Sequence, residues 1–510
     1  MPRLATSRRQ AAGCAPLPSA HTGSRYARHA PERTLLYALV EAHYPDFIAR
    51  IEAEGRSLPG YVREAFDAYL RCGVLEHGFL RVVCEHCRAE RLVAFSCKKR
   101  GFCPSCGARR MAESARHLVE EVFGPRPVRQ WVLSFPYPLR FLFASKPEAI
   151  GPVLGIVQRV IAGWLADQAG IDRASAQCGA VTLIQRFGSA LNLNIHFHML
   201  WLDGVYVEAT ELPRRELRLH RARAPTTAQL TQLAATIAHR VCRHLTRKGW
   251  LEGEGESAFL ADSAAGDDSM DGLRMSSITY RIATGRDAGC KVVTLQTLPG
   301  DAGSLEGEAG KVGGFSLHAG VAAEAHESHK LEKLCRYITR PAISEKRLSI
   351  ALQGRVRYQL KTPWRNGTTH VEWDPVDFIA KLAALVPPPR AHLTRFHGVF
   401  APNANLRAQL TPSGRGKRPA GDAAPVDVSA HDAPRSPEEK LRAMSWAQRL
   451  KRVFSIDVTA CVHCGGTVRI VASIEEPTAI RAILAHFEKH GAREEAHYRP
   501  AARAPPVQAA

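Results

Sequence analysis

The chain has 510 residues, too many for one compact core, and its 69 Lys and Arg against 49 Asp and Glu give a formal charge of +20. Two to four domains are expected, with a polyanionic partner, nucleic acid before an acidic membrane surface. Hydrophobic residues make up 45%, enough for a sizeable core, while no run approaches the roughly 18 apolar residues of a membrane span.

Thirteen cysteines, an odd number and mostly in short-range pairs, argue for reduced thiols and metal sites over a disulfide framework. The first 30 residues read as a disordered basic leader. Residues 33–71 read as helical, split by the breaker Ser57 to Gly60. In the next segment, Cys84 and Cys87 ("CEHC") and Cys103 and Cys106 ("CPSC") stand fifteen residues apart, a zinc spacing. Two such knuckles predict one closed, tetrahedral, structural zinc. Cys97 between them is a substitute ligand or a spare thiol, and Cys72 reads as a buried thiol. Lys98, Lys99, Arg100, Arg109 and Arg110 crowd this module and suit phosphate contacts.

Gln130 to Phe135 reads as a strand, and 147–168 as a long, mostly buried helix. The stretch "LNLNIHFHML" follows period two. Leu191, Leu193, Ile195, Phe197, Met199 and Trp201 share one face; Asn192, Asn194, His196 and His198 share the other. This predicts a half-buried strand whose two imidazoles point the same way, about 7 Å apart at the backbone, within reach of one metal ion. Surface histidines on a wet sheet face explain the spacing equally well. The preceding segment turns near Gly188 to Ala190. An even loop count places Gln185 across from His196, an odd one Thr182 and Arg186. Gln185 and Asp203 are candidate third ligands, Asp203 being by default a turn aspartate.

A helix is expected around 226–248, a mobile acidic insertion at 252–275 and a Gly-rich loop at 299–315. In the next helix, about 325–340, Leu331, Leu334, Cys335 and Ile338 form an apolar stripe. Lys330, Lys333, Tyr337 and Arg340 fall opposite, so a phenol stands among cations that can hold a phosphate against it. A hairpin over 347–362 and an amphipathic helix over 374–390, stopped by prolines, follow. Residues 411–440 read as a linker. The C-terminal "CVHCGG" (Cys461, Cys464) is half a site that His486 and His490 can complete.

Together "GFLRVVCEHCRAERLVAFSCKKRGFCPSCGARRMAE", "RFGSALNLNIHFHMLWLDGVY", "LCRYITRPAISEKRL" and "FIAKLAALVPPPRAHLTRFHGVFAPNANLR" resemble the rolling-circle insertion-sequence transposases of the IS91 type. The resemblance runs over about 35–407, with a weaker echo in "CVHCGGTVRIVASI". It implies an α+β fold: an HUH-type antiparallel sheet flanked by helices (126–410), behind an N-terminal helical and zinc-ribbon domain (31–125). The linker and a small C-terminal module (441–510) follow.

The resemblance further implies structural zinc and a catalytic Mg²⁺ or Mn²⁺ held by His196 and His198. It implies Tyr337 as the nucleophile that becomes linked to the 5′ end of a cut single strand. The expected partners are single-stranded transposon ends and target DNA, with no membrane and no small-molecule substrate, at the nucleoid in the bacterial cytoplasm. Family members with two nucleophiles carry Tyr-x-x-x-Tyr; here the first position is Lys333, and Tyr358 is the nearest other tyrosine. A non-catalytic zinc-ribbon regulator and an amidohydrolase-like metalloenzyme are the alternatives.

Overall fold

Strict alternation makes Leu193–Leu202 a strand, and both of its faces are covered. Leu193, Ile195, Phe197, Met199 and Trp201 enter the main core. Leu200 and Leu202, on the histidine side, enter a second core with Leu331, Leu334, Cys335 and Ile338. The expectation of a half-buried strand is therefore corrected: His196 and His198 are only 8% and 5% exposed. In the computed structural model, residues 30–209, 216–253, 259–261, 268–298, 309–414, 461 and 464–489 are described. The N-terminal leader, His490 and nearly all of the 411–440 segment lie outside them.

The histidine strand is central in a six-stranded sheet. The order is Ala309–Val312, Phe315–Ala323, Val128–Ser134, Leu193–Leu202, Gly179–Phe187 and Thr394–Gly398, every neighbouring pair antiparallel. An antiparallel sheet flanked by helices is an α+β fold, not the alternating barrel of the amidohydrolase alternative. A second sheet orders Val293–Gln296, Thr368–Trp373, Val356–Gln359 and Leu348–Ile350.

Two segments read as loops hold regular structure at their described residues, while 254–258, 262–267 and 299–308 lie outside those. Within 252–275, Leu251–Glu252 pairs with Phe259–Leu260, and Asp271–Ile278 is a helix with Leu273, Arg274 and Ile278 buried. Apolar spacing there was masked by acids that serve Arg274, whose guanidinium meets Asp268 at 2.6 Å and Asp271 at 2.7 Å. Within 299–315, Ala309–Val312 is the edge strand of the main sheet. A Cβ on Gly310 would stand 2.2 Å from the Leu230 carbonyl carbon, so glycine is what lets this edge lie on the helix Thr227–Arg247.

The helix Pro147–Ala169 passes the length and composition of a bilayer span, which corrects the reading that no segment does; its 18-residue apolar window has mean hydropathy 1.5 and is 56% buried. Its apolar character serves the core: Val153, Val157 and Ile161 are fully buried.

Val468–Ile474 pairs along Phe79–Cys84, which also pairs with Glu90–Ala94, so three strands from both ends of the chain form one sheet. Asp203 lies beyond the far end of the histidine strand and is not a ligand there. Arg129 donates to its two carboxylate oxygens at 2.8 and 2.9 Å, and Asp203 is 2% exposed. Arg129→Ala leaves that carboxylate buried beside the more exposed Arg221. It should cost about 3–5 kcal/mol, read as a lower urea midpoint with an unchanged slope. A midpoint shift under 1 kcal/mol contradicts this account.

Candidate active site and metal centres

The register of the central hairpin decides the histidine face. Gln185 pairs with His196, and a bulge follows before Phe187 meets Leu193. Thr182 instead pairs with Met199, and Arg186 sits in the bulge. On the other side Ser134 pairs with His196 and Val132 with His198.

The two imidazoles touch: His196 Nε2 and His198 Nε2 are 3.1 Å apart. Gln130 Nε2 donates to His198 Nδ1 at 2.8 Å, and His196 Nδ1 donates to the Asn194 carbonyl at 2.9 Å. Burial lowers the His196 pKa to about 4, and burial followed by His196 lowers that of His198 to about 2. Both rings are therefore neutral at pH 7, the form that ligates metal. Two cis ligands of an octahedral cation at about 2.1 Å stand about 3.0 Å apart, close to the observed separation. Gln185 donates to the Ile338 carbonyl at 3.1 Å, while its Oε1 is buried without a partner. Two neutral imidazoles and an amide oxygen could hold a divalent cation.

The helix Ser328–Thr339 buries its predicted stripe and places Tyr337 over the pair. The Tyr337 ring is 6.2 Å from that of His198, at 90°, and Tyr337 is 39% exposed. The Arg340 guanidinium and Lys361 Nζ each stand 4.2 Å from its centroid. Of the helix cations grouped with it from periodicity, Lys330 pairs with Glu327 at 3.1 Å, and Lys333 is exposed. Tyr358 is fully buried and its hydroxyl accepts from the Ser344 amide.

Sequence reasoning missed Gln130 and Lys361. Period two in "QWVLSF" puts Gln130, Val132 and Ser134 on one face, so a buried glutamine there was a legible signal. Lys361 had none, since only the fold brings the end of Val356–Gln359 to the tyrosine.

The cysteines group differently from their spacing. Cys103 and Cys106 stand with Cys72 and Cys97, and Cys84 and Cys87 stand with Cys461 and Cys464, the sulfurs of each set within 4.8 Å of one another. The single site over Cys84, Cys87, Cys103 and Cys106 is corrected to two sites. Cys72 is a member and not an inert thiol, and the C-terminal pair is completed by cysteines in place of His486 and His490. Sulfur pairs run from 3.4 Å for Cys97–Cys106 and Cys87–Cys461 to 3.8 Å for Cys103–Cys72, near the roughly 3.8 Å edge of a tetrahedron with 2.3 Å Zn–S bonds. The contact between Cys103 and Cys106 pushes the first thiol's pKa up and the second's down. A divalent cation lets all four ionise together.

The first set abuts the turn that follows the tyrosine helix. A Cβ on Gly107, one residue past Cys106, would stand 2.7 Å from Pro341 Cβ, and Thr339 Oγ1 donates to the Met111 carbonyl at 3.4 Å. Arg110 donates to the Lys98 carbonyl at 2.9 Å, and Lys99 pairs with Glu64 at 2.6 Å.

Two family models match the chain: one described as "Transposase zinc-binding domain" over residues 39–135, the other as "Putative transposase" over residues 179–407. No curated protein and no solved structure matches. The fold, the tetracysteine sets and these matches define a transposase, an enzyme that cuts and joins DNA and carries structural zinc. The chain belongs to the IS91 family of transposases.

Proposed function

We propose that this transposase cuts and transfers single-stranded DNA by a rolling-circle route, with Tyr337 as nucleophile. The observation that carries the reading is Tyr337 standing over the neutral His196–His198 pair beneath Arg340 and Lys361. His196 and His198, with Gln185, would hold Mg²⁺ or Mn²⁺, which supplies polarisation of the scissile phosphate. Arg340 and Lys361 position that phosphate and offset its charge. The Tyr337 phenol oxygen attacks phosphorus, forming a Tyr–O–P bond and giving its proton to solvent. The P–O3′ bond breaks, and the leaving oxygen takes a proton to become a 3′ hydroxyl.

The 5′ phosphate stays on the protein, conserving the bond for rejoining when a target 3′ hydroxyl attacks. With lysine at position 333, one tyrosine serves the helix, and cleavage and rejoining use Tyr337 in turn. Lys98, Lys99, Arg100, Arg109, Arg110, Lys330 and Lys333 supply the wider phosphate track, and residues 126–410 form the HUH catalytic domain.

The test uses the full chain, Mg²⁺ and single-stranded oligonucleotides tiled across both ends of the encoding element. The expected result is a protein–DNA adduct that survives denaturing electrophoresis, its modified peptide containing Tyr337. No adduct with any tile, or an adduct on another residue, overturns the reading.

A further inference from the structure

Beside the histidine–tyrosine site lies a cavity of about 370 Å³, a size that takes a small ligand. Its walls come from three parts of the fold: the Lys99–Ser114 segment of the first cysteine set, the end of the strand Gly179–Phe187, and the turn after the tyrosine helix. Lys99, Arg100, Arg110, Arg186 and Arg340 line it, and among the described residues no carboxylate does. Most of these cations are satisfied by backbone. Arg100 donates to the Ala391 carbonyl, Arg110 to those of Lys98 and Lys99, and Arg340 to that of Tyr337. Arg186 is buried with its Nε unpartnered. Lys99 is already paired with Glu64 at 2.6 Å, which leaves the four arginines as the positive charge that favours a phosphate.

The remaining lining is not that of a simple phosphate site. Leu183, Ile338 and Leu393 give apolar walls. The Phe187 ring meets the Arg340 guanidinium at 5.3 Å, a cation–π pair that lines the cavity and gives it an aromatic surface for stacking a base. His392 and Thr394 also line it and offer polar groups of the kind that read base edges. Arg340 and Gln185 also belong to the histidine–tyrosine site, so a ligand here is next to the phosphate under attack.

We infer that this cavity is a nucleotide pocket that takes one unstacked base and its phosphate, adjacent to the scissile bond of the DNA strand. The first cysteine set forms one wall of it, so that set is part of the DNA-reading surface as well as a structural brace. The inference rests on the single-strand reading proposed above.

Binding is measured on the Tyr337→Phe chain, so that cleavage does not intervene, with a fluorescent single-stranded oligonucleotide from the element's end. Arg100→Ala and Ser114→Phe, the second filling the cavity, are each expected to weaken binding about tenfold. Arg100→Ala should also reduce the salt slope by about one. Unchanged affinity in both variants, with parental zinc content and melting temperature, overturns the inference.

If either variant misfolds, the same oligonucleotide carrying 5-iodouracil at single positions is photocrosslinked to the unsubstituted chain. Crosslinks to Phe187 or to residues 392–394 from one position only are expected, and crosslinks confined to other surfaces overturn the pocket. An adduct on Tyr337 with no pocket crosslink sinks this inference alone, whereas a chain that binds no single strand sinks both readings.

Discussion

Alanine at His198, or at His196, should cut metal-dependent strand cleavage by more than about a hundredfold while leaving oligonucleotide binding within a few-fold of the parent. Loss of a residue that only orients a ligand typically costs about 10–100-fold, and loss of the ligand itself exceeds that. Gln130 fixes His198 through Nδ1 and the Asn194 carbonyl fixes His196 through Nδ1, so both rings present Nε2 to one point. Gln130→Leu provides the graded comparison. His198 Nδ1 accepts from Gln130; once Nε2 ligates a cation, Nδ1 must carry the proton and Gln130 must accept it through its amide oxygen. Gln130→Leu should therefore lower cleavage by about 10–100-fold and raise the Mg²⁺ concentration for half-maximal rate. Cleavage retained in both histidine variants places the metal elsewhere. A Gln130→Leu defect that no Mg²⁺ concentration relieves assigns that residue to packing alone.

Each chain should bind two zinc ions, and Cys461→Ser with Cys464→Ser should release one of them. Structural zinc in small modules contributes an apparent binding energy on the order of 10 kcal/mol, which is folding energy because the unfolded chain has no site. Here the ion joins residues 374 and 380 positions apart in the chain, Cys87 with Cys461 and Cys84 with Cys464. Without it the strand Val468–Ile474 keeps, among the described residues, its backbone pairing with Phe79–Cys84, the exposed Arg469–Glu85 ion pair at 3.7 Å and the small cluster of Leu75, Phe79, Leu92, Ile480 and Leu484.

The double variant is expected to melt earlier and to lose its C-terminal segment to limited proteolysis while keeping the other ion. Cys103→Ser with Cys106→Ser should release the other ion and also abolish cleavage, because that set braces the turn after Tyr337 through Gly107 and Pro341. One zinc per unsubstituted chain by elemental analysis, or two in either double variant, contradicts this arrangement.

Local periodicity carried much of the site. The alternation in "LNLNIHFHML" defines a strand with both imidazoles on one side, and the 3.6 period in "HKLEKLCRYITRP" separates Tyr337 from the apolar stripe. These are short-range consequences of backbone geometry, which any reader of the chain can apply. The same rules misjudged burial on the histidine face. Polar residues at every second position suggest water, but here they face the tyrosine helix, and the cover comes from residues more than 130 positions away.

Cysteine spacing misled for a related reason. A C-x2-C knuckle supplies two thiolates from one turn, and chain order does not say which second pair will meet them. Two knuckles fifteen residues apart look like one site. Instead the helix after Cys103 turns its pair toward Cys72 and Cys97, and the strand before Cys84 recruits the far end of the chain. A long connection adds little to the entropic cost of closing such a loop, since that cost grows only with the logarithm of length. The sequence alone therefore determined the residue types and the faces they occupy: a histidine pair, a tyrosine among cations, and thiols in knuckles. Which thiols share an ion, that Gln185 and Gln130 flank the pair, and that Lys361 reaches Tyr337 were decided only by tertiary structure. Those contacts depend on register and long-range packing, which no local period encodes.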